Sequence, residues 1–250
     1  MMHMVWKRKM KRWSLCVLSV WLVLLLGGCL YPDDQLKQNQ VPYKDQIAAV
    51  QTAVNQFQTD SGGLLPIKTR DMSTPLYQKY PIDFNKLMPS YMQEPPGTAF
   101  ESGGVYSYVL INVEKAPTVK VIDVRMADKI RDLTLRLDMY RESNSGYVPF
   151  GKVLGKGVFA LNYKKLGLDQ EPYVESPFTG HNLPLIVNQD GKLFVDYSSD
   201  LYAEMKETKE KLQAGQDIRS ILMEHSDFVP AYSLPYTIDS KKDEPVFLEK

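Results

Sequence analysis

One pattern of residues occurs twice in the chain, and it constrains the fold more than any other feature of the sequence. In each copy, four apolar residues are spaced three, four and three positions apart, so they lie on one stripe of an amphipathic helix. The first stripe ends near Gly63 and the second near Gly146, and a proline follows each glycine three positions later. The stripes consist of Ile47, Val50, Val54 and Phe57 in the first copy and Ile130, Leu133, Leu137 and Tyr140 in the second.

The correspondence between the copies continues beyond the helices. The run 82–87 matches the run 161–166, because both read apolar, polar, aromatic, polar and then Lys-Leu. Each copy closes with two strand-like runs, and Asp190-Gly191 in the second copy provides the positive φ of a tight hairpin. The strand-like runs are 105–113 with 119–124 and 183–187 with 193–197. We interpret the copies as a tandem duplication of a helix, a proline-containing loop and an antiparallel hairpin.

This organisation predicts an α+β fold. The first unit covers residues 43–125 and the second covers residues 126–200, each with its helix packed on an antiparallel hairpin. The segment 201–250 is not a third copy. Its charge pattern predicts a solvated helix over 201–212 and a second helical piece over 217–225. The prolines that follow predict an extended tail.

The second copy resembles the globular heads of type IV pilins and type II secretion pseudopilins. The shared features are an apolar-striped helix that ends in Gly-aromatic-x-Pro, a Leu-rich turn, a Pro-Phe-Thr-Gly loop and a hairpin. They are carried by Tyr140, Gly146, Val148, Pro149, Leu166, Pro177 and Gly180. The resemblance implies a head-like architecture only, because the prepilin peptidase site and the long stem helix are absent. The first copy departs from it at Pro95-Pro96-Gly97.

The first thirty residues have the features of an export signal. Five basic residues lie between positions 7 and 12, and the apolar run 13–26 that follows is too short to cross a bilayer. Leu26-Gly27-Gly28-Cys29 resembles the bacterial lipobox, which implies cleavage before Cys29 and attachment of a diacylglyceryl group to its thiol. We therefore expect a signal peptide at 1–28 and a lipidated tether at 29–42, held stably by the acyl chains on Cys29.

Cleavage would change the composition of the chain. Residues 1–28 contain five of the 30 Lys and Arg and none of the 30 Asp and Glu, so the mature chain carries 25 basic and 30 acidic residues, a net charge of about −5. Such a chain lacks the basic excess that nucleic acid binding requires, and it has no overall attraction to anionic lipid. Cys16 leaves with the signal, so Cys29 has no partner for a disulfide.

The chain as a whole resembles the YphF-type lipoproteins of endospore-forming Firmicutes. This resemblance and the lipobox imply a lipid-anchored protein on the outer face of the plasma membrane, or on the outer membrane in a diderm. Leu30 and Tyr31 do not resemble the Asp-type retention signal of diderm inner-membrane lipoproteins. The resemblance implies no activity.

The mature sequence contains few residues that could carry catalysis. It keeps two isolated histidines and has neither a His-Glu-x-x-His motif nor a pair of cysteines, so we predict no metal or other cofactor. Asp123 and Asp196 end equivalent strand-like runs, and they are the candidates for a hydrolytic carboxylate pair. They are equally the residue type that caps turns at strand ends, and this second interpretation is the one we adopt. The sequence therefore predicts a non-enzyme.

Tyrosine is the remaining feature that points to binding. The two copies contain more tyrosines than two small cores hide comfortably, and tyrosine is frequent at interfaces and in sugar-binding grooves. The alternative is a half-buried ring with its hydroxyl at the surface. The predicted binding residues are Tyr106, Tyr108, Tyr173 and Tyr197, with His181 beside the Pro-Phe-Thr-Gly loop.

These features predict a membrane-anchored, non-catalytic interaction or envelope-assembly module. Its expected partners are the membrane, through the lipid on Cys29, and another envelope protein or a cell-wall polymer. Two alternatives stay open at this point. One is a cell-wall or polysaccharide binder or hydrolase that uses paired carboxylates. The other is a small-solute binding lipoprotein.

Overall fold

The two apolar stripes of the sequence lie on the two long helices within residues 43–249. The computed structural model describes residues 43–249, so the predicted signal peptide at 1–28 and the whole predicted tether at 29–42, with Cys29, lie outside the described residues. Helix α1 spans Tyr43–Asp60 and buries Ile47, Val50 and Val54. The other long helix, α3, spans Val124–Ser143 and buries Leu133 and Leu137.

Both long helices end in the same way. The Gly63 N–H donates to the carbonyl of Gln58 at 2.8 Å, and the Gly146 N–H donates to that of Arg141 at 2.8 Å. The two glycines have φ values of +99° and +80°, a backbone conformation that only glycine adopts without strain. Gly63 and Gly146 therefore end the two helices where the sequence pattern predicts their ends.

The first half of the fold, residues 43–123, contains one hairpin. Strands β1 (Tyr106–Ile111) and β2 (Thr118–Asp123) pair antiparallel. Isolated bridges widen this sheet, since Pro81 pairs with Val109 and Ile82 pairs with Ile67. Short helices connect α1 to the hairpin. They are the 3-10 helix Leu76–Gln78, helix α2 (Phe84–Leu87) and the 3-10 helix Phe100–Ser102.

The second half, residues 124–195, contains a five-stranded antiparallel sheet in the order β3-β4-β6-β5, with β7 paired to β6. The β3–β4 hairpin precedes a 3-10 helix, Tyr163–Leu166. Helix α3 contributes Leu133 and Leu137 to the core beneath this sheet. The strands are β3 (Phe150–Gly155), β4 (Val158–Leu161), β5 (Tyr173–Glu175), β6 (Asn182–Asn188) and β7 (Leu193–Val195).

Hydrogen bonds at matching positions of the two sequence copies are alike. The Asp83 N–H donates to the Pro66 carbonyl at 2.7 Å, and the Asn162 N–H donates to the Pro149 carbonyl at 2.8 Å. The bridge between Ile67 and Ile82 likewise has its counterpart in the pair formed by Phe150 and Leu161. The mixed helices and antiparallel sheets confirm the α+β class. The duplication itself stays a prediction.

The C-terminal segment differs from the predicted helices and extended tail. Helix α4 spans Ser198–Glu204 and ends well before residue 212, because residues 206–211 are all polar and mostly exposed, and of the residues 205–212 only Met205 and Leu212 pack against the core. A 3-10 helix, Arg219–Met223, replaces the second predicted helix. The tail then forms a hairpin of β8 (Tyr236–Asp239) and β9 (Glu244–Phe247), whose turn is stabilised by the Asp239 carboxylate accepting from the Lys241 N–H at 2.9 Å.

A strap of residues 226–234 connects the two halves. The Val121 N–H of β2 donates to the Asp227 carbonyl at 2.9 Å, and the Val195 N–H of β7 donates to the Tyr232 carbonyl at 2.9 Å. Tyr232 packs against the hydrophobic clusters of both halves. None of the helices within residues 43–249 is long and apolar enough to cross a membrane.

Candidate interaction grooves

Three of the predicted binding tyrosines lie in the core. Tyr106, Tyr108 and Tyr197 are 4%, 2% and 0% exposed, so they offer no surface to a partner and their prediction as binding residues is wrong. Internal partners satisfy the hydroxyls: that of Tyr108 lies 2.7 Å from the Thr98 hydroxyl, and that of Tyr197 donates to the Ala231 carbonyl at 3.0 Å.

The other two predicted binding residues are exposed. The Tyr173 ring is 43% exposed, and the Nζ of Lys129 lies 5.0 Å from its centroid. His181 is exposed directly after the Pro-Phe-Thr-Gly loop. Neither residue lines the grooves described below, so the structure does not bring the predicted binding residues together.

The candidate carboxylates both lie at helix starts: Asp123 is the N-cap of α3, and Asp196 directly precedes Tyr197, the N-cap of α4. Asp123 accepts from the Arg125 N–H at 2.9 Å and forms an ion pair with the Arg125 guanidinium. Asp196 accepts from the Ser198 N–H at 2.9 Å and from the Tyr236 hydroxyl at 2.8 Å. Each carboxylate therefore stabilises the start of the helix that follows its strand.

A buried carboxylate holds the Pro-Phe-Thr-Gly loop. Asp200 accepts hydrogen bonds from the hydroxyls of Ser176 at 2.6 Å and Thr179 at 2.7 Å. Burial raises the pKa of Asp200, and the two hydroxyl bonds partly oppose this effect. Ser176 is only 3% exposed and its proton is directed at Asp200, so the arrangement positions a loop and does not expose a nucleophile.

One groove lies at the end of the first hairpin. It has a volume of about 470 Å³, and we name it the tyrosine groove. One wall comes from the 3-10 helix 76–78 and Tyr80, the floor from the end of β1 and its turn, and the other wall from the 3-10 helix 219–223. The lining residues are Leu76, Tyr77, Tyr80, Leu110, Ile111, Asn112, Val113, Glu114, Lys115, Asp217, Ser220 and Met223.

A buried arginine stabilises the base of the tyrosine groove. Arg219 is 6% exposed, and its Nη2 donates to the Asp217 carboxylate at 2.6 Å while its Nη1 donates to the Ser233 hydroxyl at 2.7 Å. Its guanidinium carbon lies 4.9 Å from the centroid of the Tyr77 ring. The side chain of Asp217 is 31% exposed and that of Arg219 is 8% exposed, so the pair presents its carboxylate to solvent.

Burial shifts the titration of Tyr77. It raises the pKa of Tyr77 to about 12, and the charge of Arg219 partly opposes the shift. Tyr77 is neutral at pH 7, as an exposed tyrosine also is, and the shift extends this neutral state into alkaline pH. No sequence signal connects Tyr77 with Arg219, because the two residues lie far apart in the chain and meet only through the fold.

A second groove, of about 330 Å³, lies at the end of the second hairpin, and we name it the tail groove. Both grooves are built from the same three parts: the segment before the hairpin, the turn of the hairpin, and the C-terminal region. In the tail groove these parts are the β3–β4 turn, the β6–β7 turn and strand β9. The lining residues are Lys156, Gly157, Val158, Asn188, Gln189, Leu234, Pro235, Phe247, Leu248 and Glu249.

The chemistry of these grooves is that of binding surfaces. Apolar and aromatic side chains dominate both linings, and the polar residues lie among them. Within residues 43–249, no three His, Cys, Asp or Glu side chains lie close enough together to hold a metal ion.

Comparison with known protein families gives a match for the first half of the fold. Residues 43–123 match the model of the YphF family N-terminal domain. The matched segment begins at the first residue of α1 and ends at the last residue of β2, so it coincides with the first half of the fold. No curated protein and no solved structure gave a significant match to the chain.

Proposed function

We propose that this chain is a YphF-type lipoprotein, anchored through Cys29 on the outer face of the membrane, that binds an envelope partner and does not catalyse a reaction. The observation that carries the proposal is the tyrosine groove. Apolar and aromatic side chains dominate its lining, Leu76 among them is 57% exposed, and a concave surface of this composition is typical of binding sites. The partner is another envelope protein.

The polar groups of the groove support recognition of a partner that carries a basic residue next to an apolar one. Glu114 and the outward carboxylate of Asp217 line the same groove as Leu76 and Tyr80. A cationic side chain would be attracted to these carboxylates, while its apolar neighbour would bury surface against Leu76. Electrostatic attraction of this kind contributes to specificity and association rate more than to affinity.

Two grooves in one chain support a bivalent module. If each groove binds one segment of the same partner, the second contact is intramolecular and raises the overall affinity by about 10²- to 10⁴-fold over one contact. The likeness of the two grooves in construction also favours the proposed duplication. Superposition of experimental coordinates of the two halves tests it, since helices α1 and α3 that do not coincide would exclude a common unit.

Crosslinking from native membranes tests the tyrosine groove. We expect the anchored protein to crosslink to one envelope protein and Leu76→Asp to abolish this product, because a charge would be placed against the apolar side of the interface. Met72→Asp is the matched control, since Met72 is 83% exposed and does not line the groove. Equal crosslinking by the two variants would exclude the groove as the site.

Incubation with purified cell wall tests the competing function. A wall binder or hydrolase remains the main competitor, because tyrosines and carboxylates also line sugar-binding grooves. We expect no release of wall fragments by the mature chain. Reproducible release that Asp217→Asn or Glu114→Gln abolishes would overturn the non-enzyme proposal.

Replacement of Cys29 tests the anchor. We expect Cys29→Ala to leave an uncleaved precursor or a secreted protein, because the thiol that would carry the lipid is gone. Membrane and culture fractions are compared by detergent partitioning. A variant that still partitions into detergent after signal removal would contradict lipidation at this residue.

A further inference from the structure

The hairpin β3–β4 and its flanks have an unusual charge for this protein. Residues 145–168 contain four lysines and no Asp or Glu, although the mature chain as a whole is acidic. We name this segment the lysine hairpin. It includes β3, β4 and the 3-10 helix Tyr163–Leu166. Its lysines are Lys152, Lys156, Lys164 and Lys165.

Apolar side chains are exposed on the same segment. Val153 is 64% exposed, Tyr147 is 48% exposed and Leu154 is 38% exposed. The Nζ of Lys165 lies 5.1 Å from the centroid of the Tyr147 ring, whose edge contacts Phe150 at the start of β3. Contacts therefore join Lys165, Tyr147 and Phe150, and Lys152, Val153 and Leu154 follow on the same strand.

One of the four lysines has a carboxylate partner. Lys156 forms an exposed ion pair with Glu249 at 3.3 Å, and the Gln189 N–H donates to the Gly157 carbonyl, which brings the neighbouring Asp190 near the turn. The lysines that this pairing leaves are Lys152, Lys164 and Lys165. Among the described residues, none of these three lysines forms an ion pair with a carboxylate.

We propose that the lysine hairpin is a second, non-covalent membrane contact that binds anionic lipid headgroups. The lysines would lie against the phosphates, and Tyr147, Val153 and Leu154 would enter the interfacial region, where aromatic and apolar side chains are favoured. The overall negative charge of the chain does not prevent this contact, because charges more than about 8 Å from the lipid are largely screened at physiological salt. The contact rests on the proposed anchoring, which keeps the hairpin close to the membrane.

The predicted tether is long enough for this contact. Its 14 residues, 29–42, could span at most about 46–50 Å when fully extended. A compact unit of the size of residues 44–250 has a diameter of roughly 43 Å. A tether of that reach lets faces of the unit beyond the one nearest residue 43 turn toward the bilayer.

The irregularity of β3 favours a lipid surface over an acidic peptide strand. β3 is the edge strand of its sheet, and its register with β4 shifts between Phe150 and Val153 and again between Val153 and Gly155. Such bulges interrupt the regular row of donors and acceptors that an added strand requires. A headgroup layer does not require that row.

Vesicle binding of the mature chain with Cys29→Ser tests the contact without the lipid anchor. We expect binding to vesicles of equal parts phosphatidylglycerol and phosphatidylcholine, loss of binding at high salt, and little binding to phosphatidylcholine alone. Combined Lys152→Gln, Lys164→Gln and Lys165→Gln should lower the partition coefficient roughly fivefold for each lysine. The matched control is Lys209→Gln, Lys211→Gln and Lys241→Gln, which removes the same charge from exposed lysines elsewhere.

Each result of this experiment bears directly on the contact. Equal losses in the two triple variants would overturn it, as would failure of the parent chain to prefer anionic vesicles. Binding of poly-glutamate without vesicle binding would also overturn it, and would identify an acidic protein segment as the occupant. Failure of the vesicle experiment would not contradict the proposed role of the tyrosine groove, because partner crosslinking depends on Leu76 and is measured on the anchored chain.

A fluorescent probe at Val153 locates the contact independently. With Cys29→Ser the mature chain has no other thiol, so Val153→Cys can be labelled at a single site with an environment-sensitive dye. We expect the dye to report an apolar environment on anionic vesicles and to be quenched by spin-labelled lipid. The same dye at Met72→Cys should stay in water, and equal quenching at both sites would exclude an oriented contact.

Discussion

Arg219 is the charged side chain on which the tyrosine groove depends most. Its replacement by Gln would leave Asp217 without its ion pair and would weaken the bond to Ser233. Breaking a buried ion pair costs about 3–5 kcal/mol, and we expect about 2 kcal/mol here because Asp217 is partly exposed. The free energy of unfolding in urea measures the loss. Arg131→Gln, which breaks the exposed pair with Asp128, should cost less than about 1 kcal/mol.

Asp200 gives the fold a pH dependence of known sign. Its pKa is raised in the folded protein above the ordinary value of 3.8, so between these two pKa values the folded chain binds more protons than the unfolded chain. The contribution of Asp200 to stability therefore falls as pH rises through this window. Asp200→Asn should cost more stability in acid than at neutral pH. The measurement is the free energy of unfolding of the parent protein and of Asp200→Asn, in acid and at neutral pH. If the difference between the two proteins is the same at both pH values, this sign is wrong.

Burial of individual tyrosines could not be predicted from the sequence. Along β1, Tyr106 and Tyr108 alternate with Ser107 and Val109, as they would on a strand with one exposed face. In the fold both faces of β1 are largely covered, and Phe228 from the strap packs edge-on against Tyr106. Tyr108 is covered within the first half, where its ring packs against Phe84, and neither this contact nor that of Phe228 can be read from the sequence pattern.

At the scale of elements, the helices were the most predictable part of the fold. Their apolar stripes, glycine ends and following prolines are local signals, and α1 and α3 form where these signals lie. The C-terminal hairpin was not predicted, because it depends on the turn chemistry of Asp239 and on Asp243, whose φ is +55°. Prolines in the tail were compatible with an extended chain, and Pro245 is in fact paired within β9.

The cap of helix α3 gives a prediction for a single element. Asp123→Ala removes the acceptor of the Arg125 N–H and a negative charge at the helix N-terminus, so we expect a loss of about 1 kcal/mol in the free energy of unfolding. Asp132→Ala is the matched control, since Asp132 is exposed on the same helix and caps nothing. Chemical denaturation of both variants compares the two. Similar losses would mean that Asp123 acts as an ordinary surface charge.

At the scale of the whole molecule, the strap makes the two halves interdependent. Residues 226–234 pair with β2 of the first half and with β7 of the second, and Val229 and Ala231 are each 1% exposed. Two duplicated units with short connections would predict independent folding. In the structure, the strap instead pairs with one strand of each hairpin, β2 in the first half and β7 in the second. Loss of the strap would therefore expose unpaired backbone groups in both halves.

Val229→Ala tests this interdependence. The variant leaves a cavity beside β2 in the cluster that contains Val109 and Ile122, and a loss of about 1–2 kcal/mol is expected from deletion of two buried methyl groups. Because the same strap pairs with β7, we expect amide hydrogen exchange to accelerate in β7 as well as in β2. Val50→Ala is the control, since Val50 is fully buried on α1 and lies outside the strap. Val50→Ala should accelerate amide exchange in the first half with little effect on β7. If exchange in β7 accelerates equally in both variants, the two halves are coupled through something other than the strap.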